Sequence, residues 1–176
     1  MTDRLPMHWP DESPATPTGA KGARPRKSDD PVKARRGKSA DRLGKDQERR
    51  IERVYGPRKV GEYGDAVDHL GRDFKWQAKA TRKLPPKWLA AITEPTRIDG
   101  VPESIRRPYE HMASIGGDRY PLVIRSYVRH GVPTRDWMFV SAWHWGTLHN
   151  FPATTILGWV VIPGADFLEI HGPDAA

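Results

Sequence analysis

Apolar and polar residues alternate strictly between residues 74 and 79. The apolar positions are Phe74, Trp76 and Ala78, and the polar positions are Lys75, Gln77 and Lys79. Side chains of a β-strand point to opposite faces in turn, so Gln77 and Lys79 are expected on one face and Trp76 on the other. Together with residues 65–70 and the turn residue Gly71, this segment predicts a β-hairpin with strands at about 65–70 and 73–80.

Helical and strand patterns flank this hairpin. Residues 47–56 predict a helix with Asp46 near its N-cap and Gly56 at its C-terminal stop. Further helices are expected over residues 87–92 and 102–115. Further strands are expected over residues 122–128, 137–143, 156–162 and 167–170. The order of these elements predicts an α/β or α+β fold with a central mixed β-sheet flanked by helices, and α/β is preferred.

The first 45 residues have a different composition from the rest of the chain. They are rich in Pro, Ser, Gly, Lys and Arg and contain almost no aliphatic residues. Such a segment buries too little apolar surface to offset its ordering entropy, so residues 1–45 are predicted to be a disordered basic tail before one domain at 46–176. The tail is either a sequence-independent DNA arm or a solubilising terminus.

The overall charge indicates the kind of partner that the chain binds. The formal net charge is +7, which favours a polyanionic partner. The chain has no cysteine, which excludes disulfides, thiolate metal sites and thiol nucleophiles. No apolar run reaches the roughly 18 residues that a membrane span needs, and the N-terminus does not read as a signal peptide. A cytoplasmic protein is therefore expected.

The hairpin carries the groups that metal-assisted phosphodiester hydrolysis needs. An aspartate on the first strand and Gln77 on the second would supply oxygen ligands, which Mg²⁺ prefers. Lys79 would then stabilise charge developing on a phosphate or orient the attacking water.

Two hairpin registers leave the identity of the aspartate open. A two-residue turn at Gly71-Arg72 pairs Asp68 with Lys75 and places it on the Gln77 face. A three-residue turn at residues 70–72 instead sets Asp65 opposite Gln77. The first register is preferred because it also sends Val67 to the Trp76 face, although a one-residue slip would exchange the faces.

Several short segments occur in an order known from one nuclease group. They are Glu48-Arg49-Arg50-Ile51, Gly56-x-Arg58-Lys59-Val60, Gly64-Asp65-Ala66-Val67-Asp68, Phe74-Lys75-Trp76-Gln77-Ala78-Lys79 and Lys83-Leu84-Pro85-x-x-Trp88-Leu89. Over about residues 47–143 the chain resembles the PD-(D/E)xK nuclease superfamily, and within it phage-encoded relatives of the archaeal Holliday junction resolvases. The resemblance implies a restriction-endonuclease-like core, an Mg²⁺-dependent endonuclease (Mn²⁺ as substitute), a branched DNA substrate and a homodimer.

The resemblance also implies roles for individual residues. The metal ligands would be Glu48, Asp68 or Asp65, and Gln77, and Lys79 would complete the catalytic set. Gln77 stands where most members have Glu; its amide oxygen can bind a metal but brings no charge. A Gln-x-Lys variant occurs in the similar Mrr-type restriction enzymes. Glu52, one helical turn after Glu48, is a second candidate for the helix acid.

Cations around the hairpin predict contacts with DNA phosphates, the alternative being an ordinary charged surface. They are Arg58, Lys59, Arg72, Lys75, Arg82, Lys83 and Lys87. Two other functions stay open, a non-catalytic DNA-binding protein with a degenerate nuclease fold and an Mrr-like restriction nuclease. His144 and His149 are expected at an aromatic-rich edge of the core rather than in a zinc site, and Trp88 is expected in the core or at a subunit interface.

Overall fold

The computed structural model describes residues 31–61, 66–130, 132–150 and 158–175. The helices in these residues are α1 (Pro31–Tyr55), α2 (Lys87–Ala90), α3 (Glu103–Ser114), α4 (Ala142–Leu148) and α5 (Gly164–His171). The strands are β1 (Arg58–Lys59), β2 (His69–Leu70), β3 (Phe74–Thr81), β4 (Thr96–Ile98), β5 (Tyr120–Arg129), β6 (Val132–Ser141) and β7 (Trp159–Pro163). They show an α/β fold, in agreement with the predicted class.

The seven strands form one mixed sheet in the order β1-β2-β3-β5-β6-β7-β4. Strands β1, β2 and β3 are antiparallel neighbours, β3 and β5 run parallel, and the remaining neighbours are antiparallel. A parallel pair needs a crossover connection, and the chain between β3 and β5 supplies it with α2, β4 and α3.

Helices cover both faces of the sheet. On one face, Ile51 and Tyr55 of α1 join Trp76 of β3 and Phe167 of α5 in a buried cluster. On the opposite face, α2 and α3 pack through a second cluster of buried side chains that includes Leu89, Ile105, Tyr109, Met112, Val123 and Phe139. Alternation along β3 therefore separates Trp76 from Gln77, whose parallel partner Val123 belongs to the second cluster.

The first helix is longer than predicted. It begins at Pro31 rather than at residue 46, so residues 31–45 are helical and the prediction of disorder is wrong for them. Ala, Arg and Lys in this segment are good helix formers, and the helix nucleus is secured downstream by buried Ile51 and Tyr55. The low aliphatic content of residues 31–45 therefore did not prevent helix formation, because this segment extends a helix that Ile51 and Tyr55 anchor. Residues 1–30 of the predicted tail lie outside the described residues.

Two predicted strand segments are helical instead. The segment predicted as a strand over 167–170 is part of α5, and Ala142 and Trp143, the end of the strand predicted over 137–143, begin α4. Short apolar runs do not distinguish a buried strand from a buried helix by periodicity. The Ser141 hydroxyl accepts a hydrogen bond from the His144 backbone N–H, which is an N-cap contact that starts α4. The short strands β1 and β4 were not predicted.

The hairpin turn lies one residue later than either predicted register required. The Gly71 N–H donates to the Phe74 carbonyl at 2.8 Å, so Arg72 and Asp73 form the turn. His69 pairs with Trp76 and Leu70 with Lys75. Both predicted pairings are therefore wrong, and Val67 packs on the α2/α3 side rather than beside Trp76. Before His69 the chain departs from this register, because the Asp68 N–H donates to the carbonyl of Trp76, which is the partner of His69.

Candidate active site

Asp68 is held against β3 by backbone hydrogen bonds. Its own N–H donates to the Trp76 carbonyl at 2.9 Å, and its Oδ2 accepts from the Ala78 N–H at 2.7 Å. After β2 ends, the Asp68 carboxylate thus accepts the β3 backbone hydrogen bond that a further strand residue would otherwise accept. This fixes an acid beside Gln77 without a long second strand. Asp65 lies outside the described residues.

Gln77 and Lys79 lie on one face of β3, as the alternation predicts. Gln77 is buried and Lys79 is half-buried. Their parallel partners on β5 are Val123 and Arg125. Lys79 therefore stands at the point where the buried part of β3 gives way to its open end, with the cation Arg125 beside it.

Helix α1 packs on the Trp76 face of the sheet, opposite Gln77, and places Glu48 at the sheet edge beside β1 and β2. Glu48 Oε2 forms an ion pair with Lys59 Nζ at 2.6 Å. The backbone N–H of Lys59 donates a hydrogen bond to Glu52 Oε1 at 2.7 Å. His69 Nε2 lies 3.3 Å from the Glu48 carbonyl, which ties β2 to this turn of the helix. Glu48 is close enough to Asp68 to affect its titration, whereas Glu52 contacts the β1 backbone.

The charges around Asp68 act in opposite directions. Burial raises the pKa of its carboxyl, and the negative charge of Glu48 raises it further. The Ala78 N–H and the Lys79 ammonium lower the pKa of the same group. Removing an acid from water disfavours its charged form, while a nearby cation restores it. The site therefore combines two acids that repel each other with cations that compensate them.

The donor chemistry here fits a hard divalent cation. Asp68, Glu48 and Gln77 offer two carboxylates and an amide, all oxygen donors of the kind that Mg²⁺ binds alongside water and phosphate. Among residues 31–61, 66–130, 132–150 and 158–175, no three His, Asp or Glu side chains are grouped to hold a metal ion. Lys59 occupies one Glu48 oxygen, so a metal bound there would displace its ammonium.

The predicted DNA-contacting cations are placed unequally. Arg58, Arg82, Lys83 and Lys87 are exposed. Arg72 is exposed but pairs with Asp73 at 3.2 Å, and Lys59 is held by Glu48. Lys75 departs from the prediction, because it is buried and its ammonium donates to the Ile115 carbonyl at the end of α3. It is therefore unsuited to a phosphate contact.

The histidines serve the aromatic layer beside α4. His144 Nδ1 lies 2.7 Å from the Tyr109 hydroxyl and 2.8 Å from the Ser141 hydroxyl. The ring centroid of His149 lies 4.1 Å from that of Trp145. These contacts agree with an aromatic edge of the core.

Two features of this region were not predicted from the sequence. Asp136 of β6 binds Arg50, Tyr55 and Ser126 and so anchors α1, which carries Glu48, to the sheet. Arg125 lies beside Lys79 only because β3 and β5 are parallel partners. The residues in these contacts are distant in sequence, so no local pattern indicates them. A single acid in a largely apolar strand, as Asp136 is, does indicate a buried partner.

Comparison with protein-family models, curated proteins and solved structures found no match to this chain. Among the described residues, no helix is long and apolar enough to cross a membrane.

Proposed function

We propose that the chain is an Mg²⁺-dependent DNA endonuclease acting on branched DNA, with a restriction-endonuclease-like core. One observation carries the proposal: the Asp68 carboxylate is fixed beside Gln77, and Glu48 and Lys79 both lie near enough to shift its pKa. Two acids, an amide and a lysine on adjoining elements match the site of the PD-(D/E)xK nucleases that the chain resembles, except that Gln77 replaces their usual Glu. The order of α1, three antiparallel strands, a crossover and a parallel strand supports the proposed core.

Each residue has a distinct task in the proposed reaction. Asp68, Glu48 and Gln77 would hold Mg²⁺, which would supply Lewis-acid polarisation of the phosphate and acidify water. Lys79, half-buried and next to Arg125, stabilises negative charge that develops on the phosphate during attack. Because Gln77 is neutral, Asp68 and Glu48 carry the whole negative charge of the metal site.

Exposed cations near the site support DNA as the substrate. Arg82, Lys83 and Lys87 follow β3 directly beyond Lys79, and Arg58 lies on the edge strand. Such cations bind backbone phosphates without reading sequence and release counterions on binding. A four-way junction presents two equivalent strands, so symmetric incision would need two copies of the chain.

Cleavage of a labelled four-way junction tests this proposal against a matched linear duplex. Wild type should nick the junction in Mg²⁺ or Mn²⁺, and Lys79→Ala and Asp68→Asn should lower the rate by at least about 100-fold. Arg106→Ala, which removes an exposed cation that pairs with Glu110 on α3, is the control and should leave the rate unchanged. Cutting of both substrates at equal rates would favour an Mrr-like nuclease. Failure of wild type to cut either substrate in either metal would refute the endonuclease.

The second candidate is a DNA-binding protein that keeps the fold without catalysis. The observation that favours it is the Glu48–Lys59 ion pair, in which a side chain already neutralises one of the two acids. Gln77 removes the third charge that most relatives have. This candidate predicts junction affinity that Asp68→Asn does not change and that Mg²⁺ does not strengthen.

A further inference from the structure

An exposed apolar surface lies next to the candidate site, on the same face of the sheet. Leu84 is 84% exposed and Trp88 is 46% exposed, although large apolar side chains are usually buried. Both line a cleft of about 250 Å³ whose floor includes Tyr127 and Phe139. We call this cleft, with Leu84 and Trp88 at its rim, the Trp88 cleft. The expected place of Trp88 in the core is therefore not observed.

The sheet connects this cleft to Lys79. Arg125 lines the cleft, and it is the parallel partner of Lys79 on the neighbouring strand. Its guanidinium carbon lies 6.0 Å from the ring centroid of Tyr127, and its Nη1 donates to the Ser104 hydroxyl at 3.2 Å. A ligand that reached Lys79 through its phosphate would thus meet Arg125 next and the Trp88 cleft after that.

The charge of the cleft selects the kind of partner. Its lining includes the cations Lys83 and Arg125 and no acid. The exposed cations Arg82 and Lys87 adjoin lining residues in the sequence, as does Glu103, whose carboxylate is paired with Arg107. A second copy related by twofold symmetry would bring the same cations face to face, which disfavours self-association. Aromatic side chains among cations are how proteins bind unpaired nucleotides, with bases stacking on rings and phosphates meeting the charges.

We propose that the Trp88 cleft binds an unpaired base of single-stranded or branched DNA beside the cleavage site. This inference rests on the proposed function and names its substrate class more closely: DNA in which bases next to the cut are unpaired. Trp88 offers an exposed ring for stacking, Leu84 offers an apolar contact, and Arg125 and Lys83 hold the flanking phosphates.

Binding in EDTA tests the inference without any cleavage. Fluorescence anisotropy would compare a labelled forked duplex that has a single-stranded thymidine arm with a fully paired duplex of equal length. Trp88→Ala should weaken fork binding by roughly 5- to 100-fold and leave duplex binding within about twofold. Trp88→Phe should restore most of the loss because it keeps an aromatic face. Trp143→Ala is the matched control, since Trp143 is 58% exposed on α4 and lies outside the cleft.

Several results would overturn the inference. Equal losses on fork and duplex, no loss on either, or no DNA binding by wild type would each do so. A change of mass in light scattering with Trp88→Ala would show instead that the cleft joins two copies. If Trp88→Ala fails to fold by circular dichroism, Leu84→Ser serves in its place, because that side chain is almost wholly exposed.

The outcome for the proposed function can be separated from this one. Wild type that cuts junctions while Trp88→Ala binds forks normally would leave the endonuclease standing without this cleft. Wild type that cuts nothing while Trp88→Ala loses fork binding would leave a binding protein with this cleft.

Discussion

Replacing Asp136 with Ala tests how α1 is fixed to the sheet. The Asp136 carboxylate is 7% exposed and pairs with the Arg50 guanidinium, which is 19% exposed. Oδ2 also accepts from the Tyr55 hydroxyl at 2.7 Å, and Oδ1 accepts from the Ser126 hydroxyl at 2.5 Å. Burial, followed by the charge of Asp136, raises the pKa of Tyr55, so the phenol is neutral and acts as the donor.

The expected loss of stability follows from the charge left behind. Removing one partner of a buried ion pair costs about 3 to 5 kcal/mol because the other charge stays buried without compensation. Arg50 keeps some exposure, so we expect the lower end, about 3 kcal/mol. For a chain of this size that corresponds to a fall in Tm of about 6 to 12 °C.

Urea unfolding followed by tryptophan fluorescence measures this loss. Glu110→Ala is the matched control, because Glu110 pairs with Arg106 at 2.8 Å on the exposed side of α3. Deleting that acid should cost less than about 1 kcal/mol. Asp136→Asn, which keeps an acceptor without the charge, should fall between the two. A cost for Asp136→Ala no larger than that for Glu110→Ala would refute the view that this network anchors α1.

Three further predictions concern the metal site, pH and backbone. Lys59→Met should tighten Mn²⁺ binding measured by calorimetry, since no ammonium competes for Glu48; weaker binding would show that Lys59 helps to form the site. Burial and His149 lower the pKa of His171 to about 4. The contribution of His171 to stability is therefore complete above about pH 6.5 and is lost as pH falls toward 4, because the unfolded chain takes up the proton first. In His171→Phe, the free energy of unfolding measured in urea should vary less with pH across that window. Gly44→Ala should stabilise α1 by up to about 1 kcal/mol because nothing lies within 4 Å of the added Cβ. Gly158→Ala should destabilise the protein, since this residue has φ +71° and its Cβ would meet a backbone carbonyl, and equal melting temperatures of the two variants would contradict this reasoning.

The strand carrying Gln77 and Lys79 was predictable because strand alternation is a local property. The period of two assigns Gln77 and Trp76 to opposite faces whatever lies around them. The end of α1 before Gly56 was predictable for the same reason, since stop signals act over one turn. The α/β class followed from the order of such local patterns.

Register and long-range pairing were decided by the tertiary structure. The turn at Arg72-Asp73 depends on which pairing best covers both faces of the sheet, and this depends on helices distant in sequence. In the observed hairpin, Asp68 Oδ2 reaches the backbone N–H of Ala78, the residue after Gln77. Burial raises the pKa of the Asp68 carboxyl, and no local sequence pattern indicates this shift.

The sequence by itself determined which side chains share a face, the basic charge and the absence of thiol chemistry, because each depends on residue type or near neighbours. Only the tertiary structure decided that the last apolar segment is helical, that Arg50 meets Asp136 across 86 residues, and that Trp88 is exposed in the cleft that Arg125 also lines. Burial and pairing of distant residues are properties of the packed chain, and short apolar or charged segments fit several such packings.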